Sequence, residues 1–378
     1  MKTIRFYSPI FAAVLLSMVS ACSPKSVNTT KVVGQFAENA PETVRFTRGY
    51  YDGTMEEEAF VSFFDTTVAV VDGRFEVEVP KCLTSTTDLM IGNNVINFIS
   101  DGSTITIDPE ARTAVSSDKK GPHTLFMDYA TRWDGYQAKM AGFGDDQEAR
   151  DQYRKENLGA LVDDLKEIAH NNPDNLNGLN ALQLLYFNGV SEPEMAQDPE
   201  EMLALINGLS DEIKTAPMSS MMYSELVDIY SPLVNTVEGK PFVDFTVVQD
   251  PENPETSTVK LSDYVGKGKY VLVDFWASWC GPCWREMPNV ANAYNTYHGE
   301  NFDVLSIAVM DNVESTIKAA KELGINWNQI INAQQIPQKA YGFNAIPLII
   351  LFGPDGTILK RDLRAEQIDE AVKEALGV

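Results

Sequence analysis

YVLVDFWASWCGPCWREMP, residues 270–288, is the stretch around which the rest of the chain is organised. Tyr270, Val271, Leu272, Val273, Phe275 and Trp276 form a run too continuous for a half-exposed strand and typical of a buried one. Cys280 and Cys283 follow where that strand gives way to a helix, expected to run to about residue 298 with Gly299 as its stop. A thiol at a helix N-terminus meets unpaired backbone N–H groups and the positive end of the dipole, which stabilise its thiolate. Helix termini and Cys-X-X-Cys spacing bring a thiol from about 8.5 to between about 3.5 and 7.5. A second thiol one turn on can then close a disulfide. The expected chemistry is that of a redox dithiol.

Zinc is the main competitor for any Cys-X-X-Cys. A structural zinc site takes four ligands, usually from a second such pair or a Cys/His pair at set spacing. The chain holds four Cys and three His, too scattered for that pattern, so no metal is expected. A purely structural disulfide is disfavoured as well, because so short a loop constrains little unfolded-chain entropy.

The run VDFWASWCGPC resembles thioredoxin. The CWREMP that follows resembles the membrane-associated TlpA/ResA branch of the thioredoxin superfamily, whose members carry a Glu three residues after the second Cys. The resemblance covers residues 237 to the C-terminus. It implies a thioredoxin fold with Cys280 as the exposed nucleophile and Cys283 as the resolving thiol, shielded one turn in. Pro347, after Ile346, matches the family's cis-proline, which packs against the dithiol, blocks metal and offers a backbone edge to substrate. Thr is common just after that proline, and Leu348 stands there instead. The implied substrate-binding surface is Trp279, Gly281, Pro282, Trp284, Ile346 and Pro347. Trp284 replaces a basic residue common in relatives, and core packing and substrate docking are equally open for it. Asp274 matches the buried acid of thioredoxin, and Glu286 matches the acid of the ResA-like branch. An Asp inside an apolar strand is costly when ionised, so its pKa is expected to rise. The alternative for Glu286 is a solvated helix carboxylate. Pro288 matches the family's helix-kink proline and is structural.

From the start of the chain, residues 1–21 read as a targeting segment. Lys2 and Arg5 are its basic end, and the apolar stretch at 10–19 is too short to span a bilayer. Val19-Ser20-Ala21-Cys22 resembles a lipoprotein signal with lipidation and cleavage at Cys22, an ordinary secretory signal being the alternative. Ser23, with no acid beside it, suggests the outer membrane by analogy. Residues 22–31 read as a tether. Period-2 pairs such as Val44/Phe46 and Ile105/Ile107, between turns at Asp52-Gly53, Asp72-Gly73 and Asp101-Gly102, make residues 32–115 a small antiparallel β domain, expected as a sandwich. Cys82 within it reads as a small buried hydrophobe.

Residues 120–235 change to helical spacing, with helices expected at 176–187, 200–214 and 220–229. Met218, Met221 and Met222 are expected in its core, a soft partner-binding face being the alternative. Residues 238–241 look like a linker into a last domain, 236–378, where strands alternate with helices as the thioredoxin fold requires. The expected fold class is therefore an α/β thioredoxin fold at the C-terminus, preceded by a small antiparallel β domain and an α-helical segment.

A net charge of −24, with no basic block, disfavours nucleic-acid binding. The expected function is a lipid-anchored periplasmic thiol–disulfide oxidoreductase without cofactor. Gly281-Pro282 is the thioredoxin dipeptide; thioredoxin sits near −270 mV against about −120 mV for the oxidant DsbA, which favours the reductase direction. The implied partners are disulfide-bonded protein substrates and a transmembrane thiol electron donor. Two alternatives remain. One is an envelope binding protein with a regulatory redox module. The other is a peroxiredoxin-like peroxidase, whose Pro-x-x-x-Thr-x-x-Cys context is missing because Ala277 occupies the Thr place.

Overall fold

The computed structural model describes residues 29–51, 60–191, 197–250 and 252–378. The expected signal segment, Cys22 and the Asp52-Gly53 turn lie outside these residues. The described chain gathers into two compact units. One is drawn from residues up to 48 with 62–127, the other from 49–61 with 128–378.

The first unit is built from β1 (Thr29–Gln35), β2 (Thr43–Tyr51), β3 (Phe60–Ala69), β4 (Arg74–Pro80), β5 (Cys82–Ile91), β6 (Asn94–Ser100), β7 (Thr104–Asp108) and β8 (Thr113–Ser116). They form two four-stranded sheets, ordered β4-β1-β7-β8 and β3-β2-β5-β6. Alternate residues of both sheets, among them Val32, Phe46, Phe75, Leu89, Phe98 and Ile105, share one core. β1 pairs antiparallel with β4, β2 with β5, β5 with β6 and β7 with β8, while β1 and β7 run parallel. Residues 29–31, expected in the tether, already belong to β1.

Cys82 departs from expectation. It is half-buried, with Sγ 3.3 Å from Ser85 Oγ and 3.6 Å from Thr84 Oγ1, and it lies within the field of the buried Arg48. Burial pushes the thiol up, but those hydrogen bonds and the Arg48 charge outweigh it and bring the thiol below its ordinary value. The surroundings of Cys82 are polar because Thr84, Ser85 and Thr87 of the same strand line this end of the unit.

Six helices follow: α1 (Pro122–Gly142), α2 (Gln147–Asn171), α3 (Leu176–Ser191), α4 (Pro199–Gly208), α5 (Asp211–Thr215) and α6 (Pro217–Leu233). The single helix expected over 200–214 is two. Leu209 and Ser210 turn extended, and Ser210 Oγ accepts the Ile213 N–H as the cap of α5. Met221 is 52% exposed and Met218 and Met222 are half-buried, so these methionines are not the core expected of them. The buried stripe of α6 is Leu226, Ile229 and Tyr230 instead.

The remainder begins with a short hairpin of β9 (Thr246–Val248) and β10 (Thr258–Lys260), with α7 (Pro254–Ser257) between them. Then come β11 (Tyr270–Trp276), α8 (Gly281–Tyr297), β12 (Phe302–Ala308), α9 (Val313–Leu323), β13 (Asn328–Ile330), α10 (Ile336–Tyr341), β14 (Leu348–Phe352), β15 (Ile358–Lys360) and α11 (Glu366–Leu376). The sheet order is β13-β12-β11-β14-β15, with β11, β12 and β13 parallel and β14 antiparallel to β11. This is the thioredoxin fold. The continuity of the 270–276 run has a simple cause: both faces of β11 are covered. Leu272 and Trp276 pack with residues of α8 and α11, while Val271, Val273 and Phe275 enter the core on the opposite face.

The expected linker is part of this sheet's margin. Gly239 N–H donates to Ile358 O, Ile358 N–H to Lys240 O and Phe242 N–H to Gly356 O, each at 2.8 Å. The dithiol helix ends where expected, with His298 as its cap and Gly299 just beyond. His298 is extended at ψ 131° and caps α8, its N–H donating to Tyr294 O, and Gly299 takes no left-handed turn.

Candidate redox site

Cys280 is the N-cap of α8, at φ −86° and ψ 97°, and its sulfur accepts the Cys283 N–H at 3.2 Å. One of the helix's orphan donors thus points at the sulfur that would carry charge as a thiolate. The two cysteines form a disulfide, with Cα atoms 5.3 Å apart. Both are buried, Cys280 3% exposed and Cys283 1%. The expected contrast between an exposed first thiol and a shielded second is absent here, because Cys280 packs with Trp276, Ala277 and the partly buried Ile346 as firmly as Cys283 does.

The Ile346–Pro347 bond is cis, and Cys280 Sγ lies 3.6 Å from Ile346 O. Gly281 and Pro282 are exposed at the helix start. Trp279 is 60% exposed, with its indole N–H donating to Met310 O at 2.9 Å. A large apolar ring held beside the disulfide can serve as a docking surface. Trp284 is half-buried against the core under α8 and donates to Ser278 O at 2.9 Å, so its ring has a packing role in this structure.

Two carboxylates flank the dithiol helix. Asp274 falls on the face of β11 that meets α8 and is 1% exposed. Its hydrogen bond comes from Ser306 Oγ, at 3.3 Å, which itself accepts Trp327 Nε1–H at 2.9 Å. Desolvation raises the carboxyl to about 7; Ser306 and the Arg364 charge oppose the rise and Glu286 adds to it. Glu286 is no freely solvated helix carboxylate. Its Oε2 accepts Asn289 Nδ2–H and Ala365 N–H, each at 3.0 Å.

Three contributors were not legible from the motif. Asp311, just past β12, accepts both the N–H and the hydroxyl of Ser278, at 2.6 and 3.0 Å, and so clamps the turn before Cys280. Arg364 Nη2 donates to Pro347 O at 2.5 Å. Ala365, at φ +47°, is a strained non-glycine whose N–H reaches Glu286. Asp311 precedes Asn312, the N-cap of α9, and that capping signal was the one sequence pointer to this corner. Among the described residues no cluster of three or more His, Cys, Asp or Glu is placed to hold a metal.

A buried, helix-capping dithiol against a cis-proline on this sheet defines a thioredoxin-superfamily redox domain. Comparison with known proteins agrees: residues 239–361 match the AhpC/TSA family. The thiol-disulfide oxidoreductase ResA of Geobacillus thermodenitrificans is 28% identical over 159 residues, 42% of this chain and 87% of that protein. ResA of Bacillus subtilis is 28% identical over 109 residues, covering 29% of this chain and 60% of that protein, which is less than two thirds of its length. Among solved structures, the thioredoxin domain of a thiol-disulfide oxidoreductase from Bacteroides vulgatus is 30% identical, covering 36% of this chain and 96% of that one at a TM-score of 0.32. The C-terminal domain thus has a thioredoxin fold, matches the AhpC/TSA family over residues 239–361, and is similar to proteins named thiol–disulfide oxidoreductase ResA.

Proposed function

We propose that the protein is a membrane-anchored periplasmic reductase of protein disulfides. The carrying observation is the Cys280 sulfur, aligned on the Cys283 N–H at the N-terminus of α8 and set against the carbonyl edge of cis-Pro347. In the reduced protein the Cys280 thiolate attacks one sulfur of a substrate disulfide. A Cys280–substrate mixed disulfide forms, and the displaced substrate sulfur leaves as a thiolate that takes a proton. Cys283 then loses its proton, attacks Cys280 and releases the second substrate thiol, leaving the Cys280–Cys283 disulfide. Two electrons and two protons have passed to the substrate, and a dithiol donor must return them.

Asp274, near neutrality in its pKa, is suited to accept the Cys283 proton. Glu286 acts on the thiols through its charge. Trp279, Gly281, Pro282, Ile346 and Pro347 form the surface on which the substrate backbone lies, with Trp284 supporting it from beneath. The anchor reading rests on Val19-Ser20-Ala21-Cys22, and outer-membrane placement on Ser23. The electrons are returned by a separate transmembrane thiol protein, a partner implied by the family resemblance. No described helix is long and apolar enough to cross a membrane. The peroxidase reading is disfavoured because Ala277, fully buried, has no hydroxyl to offer a peroxide.

The test is disulfide reduction in insulin by the dithiothreitol-reduced full chain. Wild type should precipitate the B chain, Cys280→Ser should be inert, and Cys283→Ser should accumulate a mixed disulfide through Cys280. Turnover by Cys280→Ser equal to wild type would sink the assignment.

A further inference from the structure

Leu363, Arg364 and Ala365, the residues that lead into α11, border the redox site without belonging to its motif. Leu363 is buried in the same core as Cys280 and Cys283, and its N–H donates to Ile349 O at 3.1 Å. Ile349 is the β14 residue registered opposite Asp274 on β11. Ala365 N–H donates to Glu286 Oε2. Arg364, half-buried between them, divides its guanidinium between two backbone carbonyls. Nη1–H donates to Leu363 O at 2.8 Å and Nη2–H to Pro347 O at 2.5 Å. Ile346 O, one residue earlier on the same edge, lies 3.6 Å from Cys280 Sγ. A planar guanidinium anchored at two points fixes the direction of each carbonyl as well as its distance.

Bonds to neutral carbonyls satisfy these donors but leave the charge uncompensated. Among the described residues no carboxylate pairs with Arg364, whereas Arg361, three residues earlier, lies 3.3 Å from Asp362. Asp274 feels that charge. Around its carboxyl, β12 brings Ser306, β14 brings Ile349, α8 brings Glu286 and the dithiol, and the 363–365 segment brings Arg364. Burial and Glu286 oppose the carboxylate, while Ser306 and Arg364 favour it. Arg364 is the one cation among these groups.

We propose that Arg364 is a positioning residue for disulfide exchange. Its guanidinium fixes the Pro347 carbonyl, and with it the edge on which the substrate chain lies. Its charge acts on the Asp274 carboxyl that takes the Cys283 proton. One side chain outside the Cys-Gly-Pro-Cys motif thereby links substrate placement to the resolving step. This inference rests on the oxidoreductase reading and on Asp274 as the proton acceptor.

The experiment uses the reduced full chain and two variants. Arg364→Met removes both the donors and the charge; Arg364→Lys keeps the charge but not the fork. Stopped-flow mixing with a chromogenic peptide disulfide gives the resolution rate across pH 5–9. Steady-state turnover gives KM for that peptide and for 2-hydroxyethyl disulfide, which has no backbone to lie on the edge. In Arg364→Met the inflection near pH 7 should move up by as much as about one unit, slowing resolution at pH 7 about two- to fivefold. Arg364→Lys should keep the wild-type inflection. Arg364→Met should raise KM for the peptide about two- to tenfold, the worth of one hydrogen bond, and leave KM for 2-hydroxyethyl disulfide unchanged. A residue that only supported the fold would lower rates alike at every pH and for both substrates. An unmoved inflection in Arg364→Met, or an equal shift in Arg364→Lys, overturns the role of the charge. An unchanged peptide KM in Arg364→Met overturns the hold on the edge. Loss of attack on 2-hydroxyethyl disulfide at pH 9 in both variants makes Arg364 a structural residue and overturns the assignment. Failure of wild type to reduce either disulfide overturns the oxidoreductase reading itself, and a wild-type profile without an inflection overturns Asp274 as acceptor.

Discussion

Arg48 and Asp274 are both sealed from water, 4% and 1% exposed, one in each compact unit, and the protein treats them in opposite ways. Arg48 is given acceptors. Its guanidinium donates to Thr87 Oγ1 at 2.7 Å, Pro80 O at 2.6 Å and Ser100 Oγ at 2.8 Å, and it lies 4.9 Å from the centre of the Phe64 ring. Burial lowers its pKa, but an arginine so surrounded keeps its charge and ties its own strand β2 to β4, β5 and β6. Asp274 is given one hydroxyl at 3.3 Å. A carboxylate so poorly supported is pushed to the point where gaining and losing a proton are nearly balanced near neutral pH. A buried charge that is well satisfied builds structure. One left poorly satisfied is available for proton transfer.

The largest effect expected from this contrast is on stability. A carboxyl raised from 3.8 to about 7 binds its proton more tightly in the folded state than in the unfolded chain. The Asp274 contribution to stability is therefore most favourable below about pH 4, falls as pH rises to about 7, and stays reduced above it. At about 1.4 kcal/mol per pH unit, the cost at pH 8 is on the order of 4 kcal/mol. Asp274→Asn, which does not titrate, should match wild type in urea unfolding at pH 4 and gain stability at pH 8 by an amount of that order. A gain independent of pH would break the comparison.

Arg48→Met is the opposite experiment. Thr87 and Ser100 can still bond to each other, being 2.6 Å apart, so the main loss is the donor to Pro80 O. Unfolding should show a loss of about 1–3 kcal/mol at every pH, with reduction of a small disulfide unchanged. A third change is smaller. Glu286→Gln removes a negative charge that raises Asp274, and should lower both the Asp274 midpoint and the pKa of the reactive thiol by less than about one unit. Thiolate absorbance at 240 nm followed against pH reads the second; no movement would place the charge of Glu286 too far away to matter.

The same contrast explains what could be read in advance. Apolar continuity at 270–276 and the Cys-Gly-Pro-Cys corner place β11 and α8 because burial on both faces and a helix start each leave a local signature. Asp274 was visible as an acid inside an apolar run. Arg48 was not: the acceptors around it come from Pro80, Thr87 and Ser100, residues distant in the chain whose convergence depends on pairing of β5 with β6. Cys82 was misread for the same reason, since one of the groups that lower its pKa is that unseen arginine. β13 and α10 escaped notice because three and six residues leave too little periodicity to register. Ala365 gave no hint of positive φ, because alanine is not a residue that announces it.

The central claim is that Asp274 receives the proton when Cys283 resolves the mixed disulfide. Stopped-flow mixing of reduced protein with a chromogenic peptide disulfide, repeated across pH 5–9, measures the rate of that second step. In wild type it should rise through about pH 7 as Asp274 becomes able to accept a proton. In Asp274→Asn it should be slower by about a hundredfold, the low end for a positioned base, and lose that inflection, while formation of the mixed disulfide keeps its rate. Equal resolution rates and the same pH profile in the two proteins would contradict the account.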